Sequence, residues 1–346
     1  MTSETSETFA RMGVPATGAP LRLETVVHTT PPRGWVRVAV HASGVCFADV
    51  GTASAAGRET VFPVTPGHEI AGVVAALGED VTGWRIGDRV AVGWFGGSCG
   101  HCTACRMGDV VHCPERKTPG VSYPGGWAQS ITAPSTALAA IPDGMDFFDA
   151  APMGCAGVTT FNAIRHARLR PGATVAVFGV GGLGHLAIQF AARLGHRTVA
   201  IARGDERADL AYYLGAHHYL DSSQMEAGHA LAELGGADLI LNTASTTEPV
   251  AGLLTGLAVG GRLTMIGVDD GQFAVPVGRL VMKGQTITGQ LTGSAQDTEE
   301  AMRFAHLNQI RPMIERMPLA QANQAVERVA TGQARFRIVL DPRSAR

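Results

Sequence analysis

From residue 174 to residue 202 the chain reads strand, glycine turn, helix, strand, and few folds accommodate that order. Thr174-Val-Ala-Val-Phe178 is a short apolar run of β-forming residues. Gly179-Val-Gly181-Gly182-Leu183-Gly184 follows at once. Residues 183–194 are amphipathic and stop at Gly195, a helix terminator, and Thr198-Val-Ala-Ile-Ala202 is the next run. Further candidate strands are His218-Tyr-Leu220, Asp238-Leu-Ile-Leu241, Arg262-Leu-Thr-Met-Ile266 and Thr286-Ile-Thr288. Strands that are apolar throughout, separated by helices, predict a parallel sheet covered on both faces. Up to about residue 150 the character differs. Short runs such as Trp35-Val-Arg-Val-Ala-Val-His41, Ile70-Ala-Gly-Val-Val-Ala76 and Arg89-Val-Ala-Val92 are punctuated by Gly and Pro, which predicts an all-β, barrel-like domain. Residues 298–306 and 319–331 read as helices and Phe336-Arg-Ile-Val-Leu340 as a last strand. A length of 346 residues is that of two domains.

The glycine turn has a chemical meaning in this position. Gly179 permits the tight turn, Gly181 lets a pyrophosphate approach the backbone, and Gly184 lets the helix pack closely on the strand. The helix N-terminus, opened by Gly182 and Leu183, then faces the anion. At the end of the second strand, where an acid would accept from a ribose 2′-hydroxyl, the chain has Ala202-Arg203-Gly204-Asp205. A guanidinium suits a 2′-phosphate, so the reading is NADP(H). NAD(H) is the alternative if Asp205 bends back to the ribose.

All six cysteines fall into two groups. Cys99, Cys102, Cys105 and Cys113 lie on one short excursion and can close a tetrahedral zinc with no position left for substrate. His101 and His112 inside that loop are read as surface residues. Cys46 and Cys155 lie far apart, with His68 and Glu69 between them. Two thiolates and one imidazole with an open fourth position make a catalytic zinc set, and Glu69 is placed to exchange with water there. Asp49, three residues after Cys46, is placed to orient His68.

Composition narrows the partners. A formal net charge of -2 lacks the basic excess that nucleic acid or an anionic membrane surface would require. The polar, acidic start Met-Thr-Ser-Glu is unlike an export signal, and clustered cysteines then favour metal over disulfides. The expectation is a cytoplasmic protein.

These residues carry a resemblance to the zinc-dependent medium-chain alcohol dehydrogenases, extending over essentially the whole chain. It rests on Gly44-Val-Cys46-Phe-Ala-Asp49, Pro66-Gly67-His68-Glu69-Ile-Ala-Gly72, Gly87-Asp88-Arg89-Val90, the four-cysteine lobe, Cys155-Ala-Gly-Val-Thr159-Thr160, the glycine turn, and Arg337-Ile-Val-Leu-Asp341. The resemblance implies an α/β protein with a GroES-like β-barrel catalytic domain and an inserted Rossmann doubly wound parallel sheet. The implied boundaries are 1–151 for the first segment (structural zinc lobe about 94–116), 152–288 for the dinucleotide domain and 289–346 for the return segment. The resemblance further implies an active cleft between the two domains, two zinc ions per chain, and a homodimer or homotetramer. It also implies that Thr159 touches the nicotinamide, that Arg337 reaches the pyrophosphate, and that Trp94 and Phe95 line the substrate pocket.

One departure bears on the reaction. Many relatives have Ser or Thr at the second residue after the first zinc cysteine, where its hydroxyl passes a proton, and here that residue is Ala48, preceded by Phe47. Thr52, Glu69 or water is left to carry the proton. The small residues Ala53, Ser54 and Ala55 point to room for bulky or aromatic aldehydes. The expectation is hydride transfer between NADP(H) and an alcohol or aldehyde. The alternatives are a 1,4-reductase of activated alkenes or iminium ions, and a zinc-stabilised cofactor-binding protein of low activity.

Overall fold

The computed structural model describes residues 7–53 and 62–344. In chain order the first strands are β1 (Thr8–Gly13), β2 (Arg22–Val27), β3 (Trp35–Val45), β4 (Ile70–Leu77), β5 (Arg89–Val92), β6 (Ser130–Pro134) and β7 (Leu138–Ala140). Next come β8 (Thr174–Phe178), β9 (Arg197–Ala202), β10 (His218–Asp221), β11 (Ala237–Asn242), β12 (Leu257–Met265) and β13 (Thr286–Gly289). The chain closes with β14 (Ile314–Pro318) and β15 (Arg337–Asp341).

Two units divide these elements. The first takes in the described residues of Met1–Val158, Thr292–His306 and Pro312–Arg346. Its main sheet runs β14-β15-β3-β4-β5-β7, with β6 also paired to β3, while β1 and β2 form a separate antiparallel hairpin. Strand β3 alternates half-buried and buried residues as far as His41, then is buried continuously from Ala42 to Val45. Over that buried stretch Ser43, Gly44 and Val45 pair with Leu340, Val339 and Ile338 of β15. Val36, Val38 and Val40 point into a core with Ile70, Val74, Val90 and Ile131. Trp127, fully buried with Val45, Leu319, Ile338 and Leu340, donates its indole N–H to the Gly44 carbonyl at 3.1 Å. Truncating such a residue costs about 3–5 kcal/mol.

The second unit takes in Thr159–Leu291 and Leu307–Arg311. Its six strands are all parallel in the order β10-β9-β8-β11-β12-β13. The order reverses between β8 and β11, the doubly wound arrangement in which ligands bind beyond the strand C-termini. Every residue of β8 is buried, and the helix Gly184–Arg193 covers it with Leu186, Ala187, Ile188, Phe190 and Ala191. The division between units falls at Val158/Thr159, inside the helix Ala156–Arg165, and again at Leu291/Thr292. No helix among the described residues is long and apolar enough to cross a membrane.

Candidate metal and dinucleotide sites

Register brings the first sulfur and the imidazole together. Strands β3 and β4 are antiparallel with Ser43 opposite Ile70, so Cys46, just past the end of β3, meets His68, just before the start of β4. The Gly44 N–H donates to the Glu69 carbonyl at 2.7 Å across this junction. Gly44 is needed there, because a Cβ would run into the Glu69 carboxylate. Strand β5 pairs with β4 on the other side, Val92 opposite Ile70. Its continuation docks on the residue before Cys155: the Trp94 N–H donates to the Gly154 carbonyl at 3.1 Å. The ligand atoms of Cys46, His68, Glu69 and Cys155 all lie within 4.8 Å of one another.

Asp49 ties two of these groups. Its Oδ1 lies 2.7 Å from His68 Nδ1, and its Oδ2 accepts the Cys46 N–H at 2.9 Å. Burial pulls the His68 pKa down, but the Asp49 carboxylate and the Cys46 sulfur together outweigh it and hold the ring well above the usual imidazole range. With Nδ1 engaged, Nε2 faces the cluster; it is buried and has no partner among the described residues. The Cys155 thiol donates to Cys46, which pulls the Cys46 thiol well down and pushes Cys155 well up. Burial pushes the Glu69 carboxyl up to about 7, against the pull of Arg337.

Glu69 Oε1 is paired with the Arg337 guanidinium, both groups buried, while Glu69 Oε2 has no partner among the described residues. Orphaned buried nitrogen and oxygen atoms are costly. Together with two sulfurs they fit a borderline-soft cation such as zinc. Trp94 stands edge-on to the His68 ring, centroids 4.9 Å apart at 89°, and Phe95 is buried beside it in sequence. Ala48 is exposed and Thr52 buried on the helix Phe47–Ala53. Ser54 and Ala55 lie outside the described residues.

The second sulfur group is also assembled. Cys99, Cys102, Cys105 and Cys113 offer sulfurs within 4.8 Å of one another. The Cys113 to Cys99 and Cys102 to Cys113 separations are 3.6 and 3.9 Å. A zinc with Zn–S of about 2.3 Å in tetrahedral geometry sets neighbouring sulfurs about 3.8 Å apart. Backbone N–H groups already point at the sulfurs: Cys102 at Cys99, Cys105 at Cys102, Cys99 at Cys113. Bonds of this kind from the His101 and Cys102 backbone pull the Cys99 thiol pKa down. His101 and His112 are exposed. His101 could join Cys99 and Glu115 in a second grouping, but Cys99 is already one of the four sulfurs.

In the parallel unit, Gly179 has φ +97° and its carbonyl packs against Gly184, where a Cβ would collide with it. Around Gly181 nothing fills the space a Cβ would take, which leaves a cradle at the helix N-terminus that fits a pyrophosphate. Gly182 and Leu183 complete the turn ahead of that helix. Arg203 and Asp205 are both exposed just past β9. The Thr159 hydroxyl donates to the Leu291 carbonyl at 3.3 Å. Three contacts were not anticipated. Arg207 donates to the Val180 carbonyl of the turn at 2.5 Å, and Thr243 Oγ1 donates to the Gly179 carbonyl at 2.9 Å. Arg337, which the resemblance sends to the pyrophosphate, also pairs with Glu69. No local pattern marks Arg207 or Thr243, and the Glu69–Arg337 pairing is reached only once the strands are ordered.

Known proteins are similar to this chain in sequence and in fold. The alcohol dehydrogenase GroES-like domain matches residues 32–143, and the zinc-binding dehydrogenase family matches residues 182–306. Alcohol dehydrogenase patD of Penicillium expansum is 42% identical over 342 residues, 98% of this chain and 99% of that protein. NADP-dependent alcohol dehydrogenase C 1 of Mycolicibacterium smegmatis is 34% identical over 316 residues, 89% of this chain and 90% of that one. The crystal structure of AibC superposes with a TM-score of 0.91 at 28% identity, covering 97% of this chain and 96% of that chain. Fold and sites together define an oxidoreductase of the zinc-binding dehydrogenase class. The chain belongs to the zinc-dependent medium-chain alcohol dehydrogenases, a family acting on alcohols, with the GroES-like and Rossmann-like architecture that the sequence led us to expect.

Proposed function

We propose that this chain is a zinc-dependent oxidoreductase that transfers hydride between NADP(H) and an alcohol or aldehyde, with one catalytic and one structural zinc per chain. The carrying observation is the buried set Cys46, His68, Glu69 and Cys155, whose atoms converge within 4.8 Å. When bound by Cys46, His68 and Cys155, zinc supplies a Lewis acid for a carbonyl or alcohol oxygen, and NADP(H) supplies or accepts the hydride. The chain's own residues set the conditions. Asp49 holds His68 with Nε2 directed at the cluster. Glu69, anchored by Arg337 through Oε1, has a second oxygen, Oε2, that would be available to a bound zinc as a ligand. Arg337 Nε, buried without a partner among the described residues, is the donor we assign to the cofactor pyrophosphate. Thr159 is assigned to the nicotinamide, and Trp94 and Phe95 to the wall of the substrate pocket.

The NADP(H) preference is supported by Arg203 standing where an acid would be needed for NAD(H), and by the NADP-dependent relative of M. smegmatis. A homodimer or homotetramer in the cytoplasm completes the reading. The free cysteines, grouped as metal ligands, suit a reducing compartment. Ala48 favours a second reading. Without a hydroxyl there, reduction of an activated C=C or an iminium, which needs no proton delivered to a bound oxygen, gains weight. Oxidation of NADPH and of NADH over saturated aldehydes, enals and cyclic imines, with product regiochemistry, separates the two. Turnover of saturated aldehydes with two zinc ions per chain is expected. Enals losing only their C=C, with saturated aldehydes inert, would overturn the main reading. Absence of any turnover at full metal content would leave a cofactor-binding protein.

A further inference from the structure

The peptide of Gly204 is gripped from both sides by one short strand. Its N–H donates to Asp221 Oδ1 at 2.8 Å, and its carbonyl accepts from the Tyr219 hydroxyl at 2.7 Å. Tyr219 and Asp221 are alternate residues of β10, so their side chains leave the strand on the same face. Strand β10 is parallel to β9 with Asp221 opposite Ala202, which aligns both groups with the chain as it leaves β9. Gly204 has φ +73°, in the left-handed region, and a Cβ there would meet the Glu206 carboxylate. The chain therefore bends at Gly204, and β10 holds it there.

The clamp is itself held in place. The N–H and hydroxyl of Ser223 both donate to Asp221 Oδ1, at 2.8 and 2.7 Å, and the Ser222 N–H donates to the Ala202 carbonyl at 2.9 Å. The Ser223 bonds hold the Asp221 carboxyl below its ordinary range, so it remains an acceptor. Burial and the neighbouring Asp221 charge push the Tyr219 phenol up, so it remains a donor. On either side of the clamped glycine stand Arg203 and Asp205, both exposed. One has the chemistry for a 2′-phosphate and the other for a ribose 2′-hydroxyl.

We propose that Tyr219 and Asp221 are positioning residues for cofactor selectivity: by fixing the Gly204 peptide they decide that Arg203, and not Asp205, is presented to the ribose 2′ position. The inference rests on the NADP(H) reading above and deepens it. Selectivity then belongs to a turn conformation as well as to one cation. Releasing either bond lets the turn swing and brings Asp205 into competition.

The test compares zinc-loaded full-length protein with Tyr219→Phe, Asp221→Ala and Asp221→Asn, titrating 2′,5′-ADP and 5′-ADP by calorimetry. One lost hydrogen bond corresponds to about fivefold in affinity. Tyr219→Phe is expected to weaken 2′,5′-ADP by about fivefold while 5′-ADP stays within about twofold. Asp221→Ala is expected to do the same or more. Asp221→Asn keeps an oxygen that accepts from Gly204 and should restore the wild-type ratio. Equal weakening of both nucleotides, or an unchanged ratio in Tyr219→Phe, overturns the proposal even if Asp221→Ala fails to fold. Wild-type protein that binds 5′-ADP as tightly as 2′,5′-ADP overturns the NADP(H) reading, and the proposal with it.

Discussion

Asp49 serves two residues of the candidate metal site at once, and that double duty makes it the most informative residue to alter. One oxygen engages His68 Nδ1 and the other takes the Cys46 N–H. Asp49→Asn has one acceptor oxygen and one NH2 group. If the oxygen keeps the Cys46 N–H, the NH2 faces His68 Nδ1, which must be a donor when Nε2 binds metal. Zinc affinity should therefore fall by about 10–100-fold, measured by competition with a chromogenic chelator. An unchanged affinity would remove Asp49 from the site's machinery. Arg337→Met is the companion case. It leaves the Glu69 carboxylate buried without its cation, which costs about 3–5 kcal/mol in pairs of this kind. Urea denaturation should register that loss, and adding Glu69→Gln should recover part of it. Cys46, His68 and Cys155 were legible in the sequence as a set, because the two cysteines left outside the four-sulfur group flank a histidine and the three suit one metal. The Glu69–Arg337 pair was not, because its members are 268 residues apart and meet only through the pairing of β15 with β3.

At the level of elements, legibility followed burial. Strand β8 is buried at every residue, so nothing polar interrupts its apolar run, and β9 and β11 are nearly so. The hairpin β1–β2 escaped notice because its residues are half exposed and carry charges. Arg11 and Glu24 are cross-strand partners at 3.1 Å, a stabilising pair that dilutes the hydrophobic signal. Strand β14, Ile314-Glu-Arg-Met-Pro318, is hidden for the same reason. The sulfur lobe is the opposite case, read from four residues with hardly any regular structure around them. Its helix Thr103–Arg106 is one turn long, too short to persist unaided. What organises it is the set of backbone N–H groups aimed at sulfur. Cys105→Ser should then lower the zinc content from two per chain to one. By hydrogen-exchange mass spectrometry, amides of residues 94–116 should lose protection while those of β8 to β13 keep theirs. Unchanged protection in the lobe would mean that packing, and not metal, holds it.

For the molecule as a whole, the parallel sheet raises a question of its own: how its last strand is covered. Strand β13 pairs with β12 alone among the described residues, and its sequence Thr286-Ile-Thr-Gly289 is mostly exposed and carries no charge and no proline. Edges that face only water usually carry charge, proline or a bulge against pairing with another chain. Immediately before β13, the helix Val277–Lys283 exposes Val277, Val281 and Met282, the last of them 85% accessible. An open edge beside an apolar patch suits a second copy of the same chain better than solvent. Because β13 can meet its own counterpart across a two-fold axis, the contact would be self-complementary and closed. Val281→Glu combined with Met282→Glu puts like charges on both sides of that contact without touching a buried residue. Light scattering after gel filtration should show wild-type protein at a multiple of the chain mass and the double variant reduced to a smaller species with unchanged circular dichroism. If the double variant keeps the wild-type mass, this face is not the interface, and the covering of β13 must come from elsewhere.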